Sequence, residues 1–535
     1  MGKKLEQLPK YTRALIKSHL LTCGIEYDDI QKPIIAIANS WNEFNHGHIP
    51  QKKIAEKVKE GIYSKGGLPL EFNTIGPCDA LAQGYNAMNY ILPSRELIAD
   101  SVEITIRSQN IFDGIVMISS CDKITPGMLM AALRLDMPCI HVCSGTCIPG
   151  ISFLESKNIR KDFLLGNILE KTLAEKNAKL YQHPGICPYI GTANTMNCFA
   201  EALGLSLSGS STVPACTSER LRIAVKTGRT IVELVNKNLN PSKIISKKSF
   251  DNALIVIAAL SGSMNHLLHV PAIANEIGLK IDYDCIGKIN EMTPQLCEIN
   301  PNGEYSMFDF NNAGGVPALM KELSQIIELN CINVENKTFK QIVSQSVVKD
   351  RKIIHQFTEP VSKQGGVVIL KGNIAKEGAV VRLGTIPKDM MKFSGKAVVF
   401  DSEDGAVHAI EYNKIKNGEP IVLRYEGPKG GPGMREMHRI VGLLRKFDFK
   451  IAVITDGRFS GATGGLAIGY LCPEAARGGE IAIIQNDDII DIVCALKPAR
   501  ATLVPENREE VTTEGGLDLK SNFEKIKKVV KKLQK

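Results

Sequence analysis

The pattern of apolar residues changes near position 360, and this change limits the folds that the chain can adopt. Before that point, short apolar runs at 33–38, 114–119 and 253–260 are predicted as buried strands. The stretch 93–107 lies between them and begins with Pro-Ser and an acidic first turn, which is typical of a helix. Apolar strands that alternate with helices predict an α/β fold with a largely parallel sheet.

After residue 360 the chain contains seven short β-rich runs, several of them separated by Gly, Asn-Gly or Asp-Gly turns. The runs are 367–370, 379–383, 397–400, 421–424, 451–454, 481–484 and 489–493. This spacing favours a compact β-barrel-like or sandwich domain over a second doubly wound domain. We place the boundary in the polar stretch 345–363 and predict an N-terminal α/β domain over 1–355 and a C-terminal β-barrel-like domain over 356–535.

Composition and charge exclude several classes of protein. The 535 residues are 44% apolar and 23% charged, which is ordinary for a packed globular protein. The net charge of +8 is small, and part of it comes from lysines between 525 and 535, predicted as a solvated helix face. We find no basic patch with interleaved aromatics, no secretory signal, and no apolar run near the ~18 residues of a membrane span. We therefore expect a cytoplasmic protein that binds neither nucleic acid nor membrane.

The fourteen cysteines are the unusual part of the composition. A cytosolic protein keeps its thiols reduced, so these residues are buried thiols, metal ligands or both. Cys139, Cys143 and Cys147 follow at intervals of four, which matches no cluster motif, and we expect core and loop thiols. The histidines of 46–48, and the pair His266 and His269, are expected to be imidazoles with satisfied hydrogen bonds rather than metal ligands.

Reactive residues follow several predicted strands, where α/β proteins gather their ligands. The segments are 71–84 with Cys78 and Asp79, 119–128 with Cys121, Asp122 and Lys123, 424–437 with Glu436, and 454–461 with Ser460. Each also has an ordinary interpretation, such as an aspartate that caps a helix or a surface Lys–Asp pair. The glycine-rich segment lacks a P-loop motif, and the serine is not in a G-x-S-x-G motif. A nucleotide site and a hydrolase elbow are therefore unsupported.

Six segments, taken in order, resemble the dihydroxy-acid dehydratase and phosphogluconate dehydratase family. They are EFNTI (71–75), LPSRELIADSVE (92–103), CDKITPGMLMAALRL (121–135), TANTMNCFAEALGLSL (192–207), RYEGPKGGPGMREM (424–437) and TDGRFSGAT (455–463). The likeness extends over about residues 30 to 480. The resemblance implies an α/β N-terminal domain with a C-terminal β-barrel domain, which agrees with the two-part pattern.

The resemblance also implies an iron–sulfur cluster. Cys121 and Cys187 match cluster ligands, and Cys78 is our candidate for a third ligand, against the alternative of a small buried thiol. Many family members with a 2Fe–2S cluster have a cysteine where this chain has Gly47, while others share the glycine and are associated with a 4Fe–4S cluster. The resemblance therefore favours 4Fe–4S over 2Fe–2S.

A magnesium site is implied by the same matches. Asp79, Asp122 and Glu436 match Mg²⁺ ligands, and Lys123 matches a lysine that is carbamylated in the family. Oxygen donors of this kind suit a hard divalent cation. Ser460 matches the serine proposed as the base that removes the C2 proton of the substrate.

The activity that the resemblance implies is dehydration of a 2,3-dihydroxy acid to a 2-keto acid in valine and isoleucine biosynthesis, by a homodimer. An aldonic-acid or phosphogluconate dehydratase is the alternative, because the chain departs from the family at 183–191 and 262–265. An inactive iron–sulfur protein would be expected to lack Ser460, Glu436 or Lys123, and all three are present. A metal-free structural protein is a further alternative, to be tested by iron and sulfide content.

Overall fold

The computed structural model describes residues 4–444, 450–461, 463–494 and 500–504. The lysine-rich stretch 525–535 lies outside the described residues. Among the helices of the described part, none combines the length and the apolar character that crossing a membrane requires.

The α-helices of the described residues, in chain order, are α1 (Lys10–Thr22), α2 (Tyr27–Ile30), α3 (Gln51–Ser64), α4 (Asp79–Ala82), α5 (Ser94–Gln109), α6 (Ile124–Leu135), α7 (Phe153–Leu164), α8 (Glu170–Ala178), α9 (Thr192–Ala202), α10 (Ser218–Lys237), α11 (Pro241–Ile244), α12 (Lys247–Ala259), α13 (His266–Asn275), α14 (Tyr283–Met292), α15 (Met307–Asn312), α16 (Gly315–Glu322), α17 (Phe339–Gln345), α18 (Glu403–Glu411) and α19 (Arg439–Leu444). The strands are β1 (Ile34–Asn39), β2 (Leu68–Asn73), β3 (Gly114–Ser119), β4 (Cys139–Cys143), β5 (Val367–Gly372), β6 (Ala375–Arg382), β7 (Lys392–Lys396), β8 (Val398–Phe400), β9 (Ile421–Leu423), β10 (Glu436–Met437), β11 (Ala452–Thr455), β12 (Arg458–Phe459), β13 (Leu466–Cys472), β14 (Ile489–Val493) and β15 (Arg500–Val504).

The N-terminal half is built on a four-stranded parallel sheet in the order β2-β1-β3-β4. Every residue of β1, β3 and β4 is buried, as expected for parallel strands that helices cover on both faces. The predicted strands at 33–38 and 114–119 and the predicted helix at 93–107 are confirmed as β1, β3 and α5.

The predicted strand at 253–260 is wrong, because this run forms most of α12. The helix begins after Ser246, which accepts a hydrogen bond from the Ser249 backbone in a capping box. Most of its residues are buried, so its apolar residues show no single stripe of helical period. A short buried helix and a buried strand have the same apolar pattern, and periodicity does not separate them.

The C-terminal half contains a mixed nine-stranded sheet in the order β7-β14-β15-β5-β6-β13-β11-β9-β8. Six of the seven predicted runs contribute strands, and the run at 481–484 instead falls in a 3₁₀ helix over Glu480–Ile483. The glycines at 478 and 479 precede that helix, and Gly478 has the positive φ of a turn. The α/β fold class, with a parallel sheet in the N-terminal half and a separate mixed sheet in the C-terminal half, is confirmed, although no strand pairing within the described residues closes the C-terminal sheet into a barrel.

The two halves share a hydrophobic core that extends from Leu5 to Tyr470. A two-stranded parallel ribbon, β10 with β12, lies apart from the large sheet and carries Glu436. Residues of the C-terminal half therefore reach the N-terminal half of the chain.

Candidate active site

The site lies at the carboxyl edge of the N-terminal sheet. Because the strands are parallel, β1, β2 and β3 all end at this edge, and the loops after them carry the predicted residues. The ribbon of β10 and β12 adds residues from the other half. The cavity enclosed here is lined by Asn45, His46, Cys78, Asp79, Ala80, Gln83, Cys121, Asp122, Cys187, Tyr189, Gly191, Thr192, Ala193, Asn194, Glu436, Ser460 and Gly461.

Three carboxylates meet around one lysine at the base of this cavity. Asp79, Asp122 and Glu436 each place an oxygen within 4.8 Å of the others. Lys123 is fully buried, and its Nζ lies 2.6 Å from Asp79 Oδ2 and 3.0 Å from both Asp122 Oδ2 and Glu436 Oε1. The Asp122–Lys123 pair is therefore buried rather than at the surface. Asp79 does not cap α4, because its side chain is directed to Lys123.

The charges in this cluster depend on one another. Burial raises the pKa of Asp79 to about 7, even though Lys123 opposes that shift. Burial also opposes ionisation of Glu436, but the positive charges of Lys123 and Arg458 lower the pKa of Glu436 to about 2. Burial and Arg458 disfavour the charged form of Lys123, yet the three carboxylates raise the pKa of Lys123 above its usual range. At neutral pH the site therefore holds a carboxylate at Glu436 beside two buried cations.

The donor atoms fit a divalent cation. Asp79 Oδ1 is buried and has no hydrogen-bond partner, and carboxylate oxygens are the ligands that Mg²⁺ prefers. The ammonium of Lys123 contacts the three carboxylates that would bind the metal. Carbamylation would replace this positive charge with an anionic oxygen group, leaving Arg458 as the one cation that contacts these groups among the described residues. A divalent cation would then balance the excess negative charge.

A network from distant parts of the chain holds Glu436 in place. Arg458 donates to Glu436 Oε1 at 2.6 Å, and Asn265 donates to the same oxygen at 2.9 Å. Asn265 also donates to Thr192 Oγ1 at 2.9 Å and accepts from the Tyr470 hydroxyl. The sequence analysis did not identify Arg458, Asn265 or Tyr470 as site residues. The sequence signal that could have identified Asn265 is the segment 262–265, where the chain departs from the family and of which Asn265 is the last residue.

The histidines behave largely as expected. His48 is buried, and its ring nitrogens contact the Ser40 and Ser120 carbonyl oxygens at 2.6 and 3.1 Å. His266 meets the expectation only at Nδ1, which contacts the Ser263 carbonyl at 2.6 Å, because its buried Nε2 has no hydrogen-bond partner. Burial lowers the pKa of His266 to about 4. His269 lies 3.4 Å from Asp122 Oδ1, so it supports a carboxylate of the site. None of these three histidines belongs to the group of described residues whose spacing suits a metal ion.

Three cysteines line the same cavity. Cys78 and Cys121 have pKa values raised by burial, with smaller effects of neighbouring thiols that include Cys187. The three thiols are therefore close enough to influence one another. Cys121 has a φ of 68°, a conformation that costs a non-glycine residue about 1–2 kcal/mol. Strain of this kind is concentrated at functional sites.

Gly47 packs closely against Cys121. A Cβ atom at this position would lie 2.9 Å from Cys121 Sγ, too close without movement of the sulfur. Three thiols around one cavity fit an iron–sulfur cluster, because such clusters are held by cysteine thiolates.

Cys187 has an environment that favours its thiolate. Its Sγ lies 3.9 Å from His46 Nε2 and accepts a hydrogen bond from the Tyr181 hydroxyl at 3.8 Å. Tyr189 lines the same cavity and also favours the thiolate of Cys187. Burial raises the pKa of Cys187, but these partners, His46 first among them, bring it below its usual value. Lowered thiol pKa values are typical of cysteines that bind metals.

Ser460 lies directly after β12 on the wall of the cavity and is 7% exposed. The following residue, Gly461, passes close to α9: a Cβ there would lie 2.9 Å from the Thr192 backbone nitrogen and 2.8 Å from Ser263 Oγ. The absence of a side chain at 461 thus lets the loop approach the start of α9. The other predicted thiols lie elsewhere, with Cys139 and Cys143 buried in β4 and Cys147 buried just beyond it.

Comparison of the sequence with known proteins assigns the chain to a family. The family model described as Dihydroxy-acid/6-phosphogluconate dehydratase N-terminal matches residues 32–342, and its C-terminal counterpart matches residues 352–534. Curated relatives named dihydroxy-acid dehydratase include that of Caldanaerobacter subterraneus subsp. tengcongensis, which is 46% identical over 93% of this chain and 91% of that protein. Those of Acetivibrio thermocellus and Pyrococcus abyssi are each 45% identical, over 92% and 95% of this chain and 89% and 92% of their own lengths.

Proposed function

The chain belongs to the dihydroxy-acid/6-phosphogluconate dehydratase family, and we propose on this basis that it is a dihydroxy-acid dehydratase. It is a hydro-lyase that removes water from 2,3-dihydroxy acids such as 2,3-dihydroxy-3-methylbutanoate. The products are 2-keto acids for valine and isoleucine biosynthesis. The observation that carries the proposal is the single cavity in which three carboxylates, three thiols and Ser460 meet.

Asp79, Asp122 and Glu436, with Lys123 as a carbamate, would hold Mg²⁺, and Cys121, Cys187 and Cys78 would hold a 4Fe–4S cluster. When bound, these groups supply Lewis acids that make the C3 hydroxyl a better leaving group and the C2 proton more acidic. Within the protein, Arg458 and Asn265 keep Glu436 oriented toward the cavity.

Ser460 is the residue that we assign to the C2 proton. Ser460 lines the reaction cavity, and a serine needs a strongly positive environment to act as a base near neutral pH. Ser460 Oγ, in its ionised form, takes the proton from C2 and passes it to the departing C3 hydroxyl, which leaves as water. The resulting enol tautomerises to the 2-keto acid. The cytoplasmic location and the homodimer that the family resemblance implies remain predictions.

The activity is tested by anaerobic purification in bicarbonate buffer, followed by assays of 2-keto acid release. We expect turnover of 2,3-dihydroxy-3-methylbutanoate and weak or no turnover of gluconate or 6-phosphogluconate. A buried site that binds the hydroxyl groups of a sugar acid would instead prefer the sugar acids over 2,3-dihydroxy-3-methylbutanoate. Turnover of the sugar acids alone would replace this proposal by an aldonic-acid or phosphogluconate dehydratase.

Replacing Cys78 by serine tests the third cluster ligand. We expect Cys78→Ser to lower the iron and acid-labile sulfide content of the anaerobically purified protein, because a serine oxygen is a poorer ligand for iron–sulfur clusters than a thiolate. Cys23→Ser, at an exposed cysteine after α1, is the matched control and should keep full iron content. Unchanged iron and sulfide in Cys78→Ser would show that Cys78 is a buried thiol without a ligand role.

Magnesium binding is expected to require bicarbonate, because carbamylation of the Lys123 ammonium consumes one CO₂ and releases two protons. Calorimetric titration of the chelated protein should give tight Mg²⁺ binding in bicarbonate buffer and weak binding after its removal. Lys123→Met should bind weakly in both buffers, whereas Lys10→Met, at an exposed lysine, should behave like the unmodified protein. Equal Mg²⁺ affinity with and without bicarbonate would argue against the carbamate.

A further inference from the structure

A second, larger cavity adjoins the reaction cavity. It has a volume of about 640 Å³ and shares Ala80, Gln83, Cys187, Tyr189 and Ser460 with the reaction cavity. Residues of α7 and α8 line it, together with residues of the C-terminal half that include Thr385 and His438. We call this second cavity the vestibule. Because the two cavities share a wall at Ser460, a molecule in the vestibule lies next to the proposed base.

The lysine and arginine side chains that line the vestibule make its charge positive. Lys157 and Arg160 contribute positive charge from α7, and no aspartate or glutamate is present among the described residues that line it. Apolar side chains at Phe153, Leu173 and Leu180 make up another part of the wall. This combination suits a small anion that also carries an aliphatic group, because the charge attracts the anion and the apolar wall accepts the rest.

Arg160 is held in a defined orientation. Its Nε donates to Asn177 Oδ1 at 3.0 Å, and Ser156 Oγ donates to the same oxygen at 2.9 Å. Because Nε makes this bond, the N–H groups of the two terminal nitrogens are the guanidinium donors that can bind a ligand. The positive charge of Arg160 lowers the pKa values of Tyr181 and Tyr189, against the larger opposing effect of Cys187. Arg160 therefore lies near Tyr181, which contacts Cys187, and near Tyr189, which lines both cavities.

We propose that Arg160 receives the carboxylate of the incoming acid in the vestibule and guides it to the reaction cavity. This inference rests on the proposed function, since it takes the substrate to be a carboxylic acid. A guanidinium pairs with a carboxylate through parallel N–H groups, and a positive entrance raises the rate of association with an anion. Lys157 lies about one turn earlier on α7 and adds a second positive charge to the lining. The 2-keto acid product keeps the carboxylate, so Arg160 also contacts it on release.

The test is a steady-state comparison of Arg160→Gln with the unmodified enzyme at low and high ionic strength. We expect kcat/KM of Arg160→Gln to fall about tenfold at low ionic strength through a higher KM, with kcat retained. Salt should lower kcat/KM of the unmodified enzyme and change the variant much less. Arg160→Lys should recover most of the lost kcat/KM. Lys171→Gln, an exposed lysine on α8 outside the vestibule, is the matched control and should match the unmodified enzyme.

The variant Asn177→Ala distinguishes a purely structural role of Arg160 from a role in binding the carboxylate. It removes the oxygen that orients Arg160 but keeps the positive charge of Arg160. If Arg160 only joins α7 to α8, Asn177→Ala and Arg160→Gln should lower the thermal midpoint equally, and Arg160→Lys should not recover KM. That result overturns the proposal. So does an unchanged KM in Arg160→Gln.

Binding of 3-methyl-2-oxobutanoate, measured by calorimetry without turnover, keeps the inference separate from the proposed activity. We expect Arg160→Gln to bind this keto acid about tenfold more weakly than the unmodified protein, even if the protein proves to dehydrate a different acid. Equal affinities, or no binding to either protein, contradict the role of Arg160. Binding that depends on Arg160 in a protein without dihydroxy-acid turnover supports the vestibule and overturns the activity alone.

Discussion

Replacing Ser460 by alanine is expected to lower kcat by about 10²–10⁴-fold, because this is the usual contribution of a positioned general base. The substitution removes one oxygen from a residue that is 7% exposed, and the Ser460 carbonyl still accepts the Thr463 N–H. The fold and the contents of iron, sulfide and magnesium should therefore remain those of the unmodified enzyme. Steady-state kinetics on the anaerobically purified variant, with metal and sulfide analysis of the same sample, measure both quantities.

The matched control is Ser344→Ala. This serine lies exposed on α17, where its hydroxyl donates to the Gln341 carbonyl, and its loss should leave kcat unchanged. A decrease of less than tenfold in Ser460→Ala, with cofactor content intact, would exclude the serine as the base. A large decrease accompanied by loss of iron would instead show that Ser460 supports the cluster.

Replacing Glu436 by glutamine is expected to lower the free energy of unfolding of the chelated, bicarbonate-free protein by about 3–5 kcal/mol. Glu436 is the carboxylate that both Lys123 and Arg458 contact, at 3.0 and 2.6 Å, and all three side chains are buried. Glutamine has nearly the same volume but no charge, so the two cations lose a shared counter-charge in a site with little water. Denaturant unfolding under anaerobic conditions gives the difference.

The same variant is expected to bind Mg²⁺ more weakly, because it lacks one of three converging carboxylates. Glu304→Gln, at an exposed glutamate, is the control and should change the free energy of unfolding by no more than about 0.5 kcal/mol. A loss below about 1 kcal/mol in Glu436→Gln would indicate that Asp79 and Asp122 satisfy both cations without Glu436. In that case the magnesium affinity would be the remaining test of its role.

The predictions from the sequence were most accurate where a local pattern has one structural interpretation. The run at 114–119 became β3 with the same limits, and the reactive residues Cys121 to Lys123 follow it at the sheet edge. Parallel strands place their carboxyl ends together, so predicting the strands also indicated which loops would meet. The run at 253–260 failed because an apolar stretch buried on all sides has no period that distinguishes helix from strand.

The sequence by itself determined the types of chemical group available and their order along the chain, since six family segments and the strand-end residues can be read without coordinates. Only the tertiary structure decided which groups share a cavity and what supports them. Asn265 and Glu436 are 171 residues apart and bond at 2.9 Å, and His46 contacts Cys187 across 141 residues. Spacing along a chain carries no information about such pairs, because their contact results from the way distant segments pack around the edge of one sheet.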